Sequence, residues 1–529
     1  MNAVRTKPAL VKSGFSRRSI LRGAFAGASG AMINAVASPL VSYASSRPIL
    51  THGLQSGDVK HDGAVIWART DRPARMLVEA STSDTFQIIR ANAIVDAFPE
   101  TDFTAKVALD GLPAGREVFY RVRFQDHAAP TIISEPETGS FRTAPLEART
   151  VSFAWSGDTA GQGFGIDTDR GGMRTFSTMH KHAPDFFIHS GDSIYADCEV
   201  PSQIALKNGE LWRNLVTEEK SKVAETLAEF RGNYKYNLLD ANVRGFNARV
   251  PTFAQWDDHE VTNDWVPGES VTWDRYTEKS ILALTARGGR AFHEFMPTRQ
   301  TITEAGRVYR RIPYGPLLDI FMIDMRSYRT PLKLGDESEI LGATQLAWLK
   351  RELMNSRATW KVIAADLPIG LVSDDAIALG DGPPNAREHE VAGLLSFMKH
   401  GGISNVVWLT ADMHYTAAHY YDPNKAVFRD FEPFWEFVSG PLHAGTWSPG
   451  QLDNTFGPTA MFAKGASAEQ GNCLAPCFGL QFFGHVSIDG ESEIMTVTLR
   501  DVDDHALWQT AIQPKQQRTR KQKLARGWQ

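Results

Sequence analysis

Long apolar runs are missing from this chain beyond its first fifty residues, and with them any candidate membrane span. Cysteine is scarce: Cys198, Cys473 and Cys477 are the only three in 529 residues. In an oxidising compartment that leaves room for one small loop disulfide between Cys473 and Cys477, with Cys198 a buried thiol near the chemistry described below. Excess positive charge is lacking too. A formal net charge of −5 argues against a general nucleic-acid binder while excluding no phosphate-bearing substrate. There is no Gly-x-Ser-x-Gly elbow and no phosphate-cradling P-loop, which removes a serine hydrolase and a nucleotide switch. Internal repeats and long low-complexity linkers are absent as well.

What remains is globular. The chain is 42% hydrophobic and 22% charged, with 13 Trp and 29 Phe, enough apolar bulk for thick packed sheets in two or three domains. The start of the chain departs from this. Ser16-Arg17-Arg18-Ser19-Ile20-Leu21-Arg22 precedes an Ala/Gly-rich stretch from Ala24 to Val41 and a small-residue site at Ser42-Tyr43-Ala44. That order resembles a twin-arginine (Tat) signal peptide over residues 1–44, so the Tat translocation machinery is an expected partner and the periplasm or exterior the expected location.

The chemistry is organised around Asp185-Phe-Phe-Ile-His-Ser-Gly-Asp-Ser-Ile-Tyr-Ala-Asp197. An apolar run, Phe186 to Ile188, stops at Gly191-Asp192, placing a carboxylate at the carboxyl end of a buried strand, where open α/β sheets carry their sites. The pattern recurs. Val151 to Ser156 leads to Gly157-Asp158, and Val250 to Trp256 leads to Asp257-Asp258-His259-Glu260. Leu318 to Ile323 leads to Asp324-Met325-Arg326, and Val406 to Ala411 leads to Asp412-Met413-His414. One Gly-Asp turn is commonly a solvated aspartate; several carboxylates and histidines on one rim repel and desolvate badly unless cations neutralise them. The pattern therefore predicts a site for two or more metals.

In chain order, residues 48–146 read as a small all-β domain of short alternating strands. Asp58 and Asp62 read as turn residues there, and Leu112-Pro-Ala-Gly115 resembles the edge of a fibronectin type III-like sandwich. Residues 149–514 alternate strands with helices, which gives a layered α/β sheet. The helical stretches are Val216 to Leu239, whose charges read as a solvated face, Ala343 to Leu353 and Glu388 to His400. Strands return at Phe482–Ile488, Ile494–Arg500 and Ala506–Ile512 and complete one sheet. Residues 515–529 form a basic, solubilising tail.

Asp192 is the natural bridging ligand, since a carboxylate has lone pairs for two cations. Asp158, Asp258 and Asp412 add hard oxygens, and His414 adds an imidazole. A phenol such as Tyr195 binds well, as phenolate, only to a strongly acidic ion such as Fe(III); the remaining oxygens suit Ca, Mg or Mn. His259 is a candidate to protonate a leaving alcohol or orient a phosphate, against the plainer role of a packed, hydrogen-bonded histidine. Arg326 is a candidate for a bidentate bond to a phosphate oxygen, against a structural salt bridge to Asp324 or another carboxylate.

Several segments together resemble the alkaline phosphatase D (PhoD-like) family. They are His52-Gly-Leu-Gln-Ser-Gly-Asp58, Gly191-Asp-Ser-Ile-Tyr-Ala-Asp197, Trp256-Asp-Asp-His-Glu-Val-Thr-Asn263, Asp324-Met-Arg-Ser-Tyr-Arg329, Leu341-Gly-Ala-Thr-Gln-Leu-Ala-Trp-Leu349 and Ala411-Asp-Met-His414. The resemblance implies a β-sandwich followed by a four-layer α/β/β/α calcineurin-like metallophosphoesterase core. It also implies an Fe(III)–Ca site and metal-hydroxide attack on phosphomonoesters or phosphodiesters, whether small molecules or phosphate-containing polymers. Carried over, it makes Asp192 the bridge, Tyr195 the iron phenolate, Asp412 and His414 ligands, and Asn263 a calcium ligand. Asp158 stands where some members have Cys, which hardens the site; Asp158-Thr-Ala160 lacks the histidine of the superfamily's first motif and Asp412 replaces the first histidine of its last motif, which disfavours the common Zn or Mn dinuclear centre. The alternatives are a phosphodiesterase or phospholipase-like enzyme with little monoesterase activity, and a secreted phosphate- or calcium-binding protein without turnover.

Overall fold

The computed structural model describes residues 47–300, 304–333, 338–373 and 375–515. The twin-arginine segment and the tail from residue 516 lie outside the described residues. Two large sheets dominate. One has nine strands, in the order 506–512, 495–501, 482–488, 151–156, 186–190, 252–255, 50–60, 63–70 and 104–109. The other has seven, in the order 310–314, 318–322, 360–364, 406–410, 434–438, 416–421 and 458–464.

Successive side chains of a strand point to opposite faces, and here both faces are buried, so the central strands read as near-continuous apolar runs. Phe153, Trp155, Phe186 and Ile188 of the first sheet meet Ile320, Met322, Val362, Ala364, Val407 and Leu409 of the second in one shared core. The intervening residues face outward. Ala154 and Phe187 pack under helices Arg174–Lys181, Ala241–Asn247 and Ile281–Phe295. Phe321, Ile363 and Trp408 pack under helices Gly342–Asn355 and Glu388–Gly401. The result is four layers, α/β/β/α, as the resemblance implies.

Parallel pairing of 151–156, 186–190 and 252–255 in the first sheet, and of 318–322, 360–364, 406–410 and 434–438 in the second, brings several carboxyl ends to one rim. The C-terminal strands 482–488, 495–501 and 506–512 finish the nine-stranded sheet in antiparallel register. The expected small β region supplies a four-stranded sheet, ordered 91–97, 74–81, 117–126 and 137–142. Its apolar face, including Met76, Val78, Tyr120 and Val122, packs in a core shared with Ile66, Ala68 and Ala105 of the neighbouring nine-stranded sheet. That second layer is continuous with the large sheet: strand 50–60 pairs in parallel with 252–255 at Gly57–Thr252.

Burial corrects three local expectations. Val216–Leu239 is not one helix: a short 3-10 turn at Glu218–Lys220 is followed by a helix at Leu227–Asn237. Thr226 and Glu229 form a reciprocal capping box, which fixes the helix start there. Lys220 is not on a solvated face. It is 2% exposed, and its ammonium donates to the carbonyl oxygens of Tyr195 and Cys198 and to Asn233 Oδ1. Asp58 is not a turn residue in solvent but a buried carboxylate, paired with Arg310 at 2.6 Å and accepting from the Arg299 amide at 2.6 Å. Cys198, Cys473 and Cys477 are free thiols. Among the described residues no helix is long and apolar enough to cross a membrane.

Candidate metal centre

The strand ends deliver their side chains through strained turns. Asp158, Asp192, Asp412 and His414 all have positive φ, between 51° and 66°, a region that Asp and His tolerate better than most residues but still at a cost. Gly191 takes φ 105°, and a β-carbon there would meet Asp257 Cβ at 2.5 Å. Only glycine lets the Asp192 turn lie so close to the Asp257 turn.

Three interlocked groups of potential ligands follow, each with its atoms within 4.8 Å of one another: Asp158, Asp192 and His414; Asp192, Asp258 and His259; and Asp257, Asp258 and Asp412. Asp192 joins the first two groups and Asp258 the last two. Tyr195 belongs beside the first, its hydroxyl 2.9 Å from His414 Nε2. His414 Nδ1 lies 2.5 Å from the Gly445 carbonyl oxygen. A carbonyl only accepts, so the proton is on Nδ1 and Nε2 keeps a lone pair facing the cluster.

The electrostatics suit a site able to hold cations. Burial and then the charges of neighbouring carboxylates raise Asp158, Asp192 and Asp412 well above the usual carboxylate range. Burial, followed by Asp192 and Asp158, also raises the Tyr195 phenol. Both oxygens of Asp158, one of Asp192, one of Asp257 and one of Asp258 are buried without a hydrogen-bond donor. Orphaned carboxylate oxygens, an imidazole lone pair and a phenol converging on shared points fit hard cations well.

His259 is built differently. Its Nδ1 is 2.7 Å from Asp197 Oδ1, which points Nε2 toward Asp192 and Asp258, each 4.0 Å away. Burial alone would lower its pKa, but Asp197 and Asp258 outweigh that and push it up to about 10. Its ring also lies against Tyr195, 4.2 Å between centroids. Arg326 is fully buried. Its Nε donates to Asp257 at 2.5 Å and its Nη1 to Asp375, while Nη2 has no hydrogen bond and lies 3.9 Å from both Asp258 and Asp412. Asn263 stands one step back. Its amide donates to Asp197 and its carboxamide to Asp264, whose own amide donates to Asp258.

Sequence reasoning passed over four acids that the structure places here. Asp366 follows the strand Trp360–Ala364 in the same apolar-run-then-Asp pattern that singled out the others, and it lies 3.4 Å from Arg326. Asp257 and Asp197 sit inside motifs already recognised, yet only tertiary contacts reveal that they hold Arg326 and His259. Glu260 accepts from Ser193 N and Oγ, at 2.6 Å each, and from Asp257 N at 2.9 Å, tying two of the ligand turns together.

Comparison with known proteins agrees with this geometry. The family model of PhoD-like phosphatases matches residues 153–499, and that of their N-terminal domain matches residues 35–145. Alkaline phosphatase D of Bacillus subtilis (strain 168) is 26% identical over 440 residues, covering 76% of this chain and 69% of that protein. The solved structure of PhoD superposes with a TM-score of 0.65 at 20% identity, covering 87% of this chain and 88% of that one. A purple acid phosphatase from yellow lupin (Lupinus luteus) seeds shares the fold at a TM-score of 0.52 and 12% identity, covering 88% and 74% of the two chains.

Proposed function

The chain belongs to the PhoD-like phosphatase family and is a phosphoric ester hydrolase, and from that premise we propose an exported, metal-dependent enzyme that hydrolyses phosphomonoesters and/or phosphodiesters. The observation that carries this reading is the set of interlocked carboxylate groups sharing Asp192 and Asp258, with their buried, unpaired oxygens. Asp158, Asp192, Tyr195 and His414 would hold one cation, for which the phenol favours Fe(III). Asp192, Asp257, Asp258 and Asp412 would hold a harder partner such as Ca, with Asn263 near enough in sequence and space to join. Bound cations supply Lewis acidity toward phosphoryl oxygens and a nucleophilic water at neutral pH.

The chain's own residues do the rest. Asp192 keeps the two halves of the site in register. His259, held by Asp197, presents a protonated Nε2 from which a leaving alkoxide takes its proton. Arg326 Nη2 offers a preorganised donor to a phosphoryl oxygen. Glu260 and His414 fix the turns, so little reorganisation is needed during reaction.

Metal-analysed protein assayed on mono- and diesters tests the proposal. Iron and calcium are expected in it, with released phosphate or alcohol, loss of turnover on exhaustive chelation, and joint loss of metal and activity in Asp192→Asn by more than about 100-fold. Full turnover by metal-stripped protein would overturn it. Export is tested by cell fractionation: the Arg17→Lys/Arg18→Lys variant should stay in the cytoplasm, and normal export would discard the twin-arginine reading.

A further inference from the structure

We propose that Lys220 is a positioning residue for the hydrolytic reaction, holding the turn at 195–198 so that Tyr195 and Asp197 reach their partners together. The inference rests on the metal-dependent chemistry proposed above. Lys220 ends the 3-10 turn Glu218–Lys220 and lies outside every group of potential ligands.

Its side chain is buried, and the ammonium donates to the Tyr195 carbonyl oxygen at 2.8 Å, the Cys198 carbonyl oxygen at 3.1 Å and Asn233 Oδ1 at 2.8 Å. An ammonium has three protons to give and accepts none; here three oxygens take one each. None of the three carries a charge. A buried cation held by neutral oxygens is costly beside an apolar side chain of equal volume, so what the lysine adds is the placement of those oxygens. Asn233 makes that placement directional. Its Nδ2 donates to the Glu229 carbonyl at 2.9 Å, which turns Oδ1 toward the ammonium. Asn233 belongs to the helix Leu227–Asn237, whose Asn237 also donates to the Ser193 carbonyl at 2.8 Å. The loop at 193–198 is thus tied to one helix at both ends, by Asn237 at its start and through Lys220 at its finish.

The turn carries two side chains of the site. Tyr195 places its hydroxyl 2.9 Å from His414 Nε2. Asp197 places Oδ1 2.7 Å from His259 Nδ1 and accepts the Asn263 amide on Oδ2 at 2.9 Å. Between them the Ala196 amide donates to the His259 carbonyl at 2.8 Å, and the Cys198 amide closes the turn on the Tyr195 carbonyl at 3.3 Å. Lys220 grips the carbonyls at both ends of this turn, so releasing it frees Tyr195 and Asp197 at once. A displacement of about 1 Å at reacting groups is worth up to about 100-fold in rate. Arg326 is braced from elsewhere, by Asp257 and Asp375, and its hold on a phosphoryl group is left as it is.

The test compares full-length, metal-loaded wild type with Lys220→Met, Tyr195→Phe, Asp197→Asn and the two double variants that carry Lys220→Met. Lys220→Met should lower kcat by about 10–100-fold with KM unchanged. In the Tyr195→Phe and Asp197→Asn backgrounds the same substitution should cost less, because a group it places is already gone. An equal loss in all three backgrounds would make Lys220 an independent structural residue and overturn the proposal, as would a rise in KM at constant kcat. Bound metal per chain and the visible absorption of an iron phenolate read the Tyr195 side without turnover. Lys220→Met should weaken metal retention and shift that band; no change in either sinks the proposal. A colourless wild type faults the iron assignment and leaves the cycle with Asp197 to decide. A wild type that turns over no phosphate ester sinks the underlying reading and this proposal with it, whereas turnover with wild-type kcat in Lys220→Met sinks this proposal alone. Should Lys220→Met not fold, Asn233→Ala decides, since it removes the oxygen that orients the ammonium and spares the turn's own contacts. A loss of about 3–10-fold in kcat is then expected, and wild-type kcat, or failure of this variant to fold as well, makes the lysine structural only.

Discussion

His259 shows how much one side chain depends on its second neighbour. Asp197 fixes its direction and favours its protonated form through a 2.7 Å contact. The charges of Asp197 and Asp258 raise its pKa to about 10 despite burial, so it is protonated through neutral pH, and a reaction using it as general acid slows as pH rises past that value. Cations bound at the rim lower the value, so the alkaline limb of the holoenzyme lies below it. Asp197→Asn removes a raising charge and should move that limb to lower pH, while His259→Ala should cut kcat by about 10²–10⁴-fold and abolish the limb. A pH–rate profile unchanged in both variants would remove His259 from the reaction. At this scale the sequence was readable at Asp158, Asp192, Asp258 and Asp412, each ending an apolar run, although Asp366 ends one as well and was passed over. It was unreadable for Lys220 and Asp58, because composition reports a charge and not whether water reaches it.

Strands deliver these side chains, and the delivery depends on how tightly they pack. Strand Phe482–Ile488 lies beside Val151–Ser156, with Gly484 opposite Trp155. A β-carbon on Gly484 would fall 2.0 Å from the Trp155 ring, which has no free space to move into because it is fully buried between the sheets. Gly484→Ala should therefore destabilise the protein by about 1–3 kcal/mol and lower its melting temperature. It should also disturb the turn carrying Asp158, seen as weaker metal retention; unchanged melting would show that the ring can yield. Strand existence was legible here because strands buried on both faces are short apolar runs. The helix in 216–239 was not, because helical spacing runs through the turn at Glu218–Lys220, and only the cap at Thr226 marks the start.

The whole molecule is held across its layers by polar ties as well as by the shared apolar core. Asp58, on strand Leu50–Lys60 of the nine-stranded sheet, is bound by Arg310 from strand Arg310–Tyr314 of the seven-stranded one. Arg310→Met would leave the Asp58 carboxylate buried with the Arg299 contacts alone, at a cost of about 3–5 kcal/mol. Because strand 50–60 is continuous with the catalytic sheet, unfolding measured by circular dichroism and by metal release should shift together; an early, separate loss of the β region would contradict that continuity.

The sequence by itself determined that acids and histidines end the buried strands, the pattern from which a metal site is expected. Those are local properties of a buried run followed by a turn. The tertiary structure alone decided which acids come within reach of a common point, that Asp197 governs His259, and that Asp257, Asp366 and Asp375 surround Arg326. Contacts between distant segments are set by sheet order and register, and neither leaves a signal in any single stretch of residues.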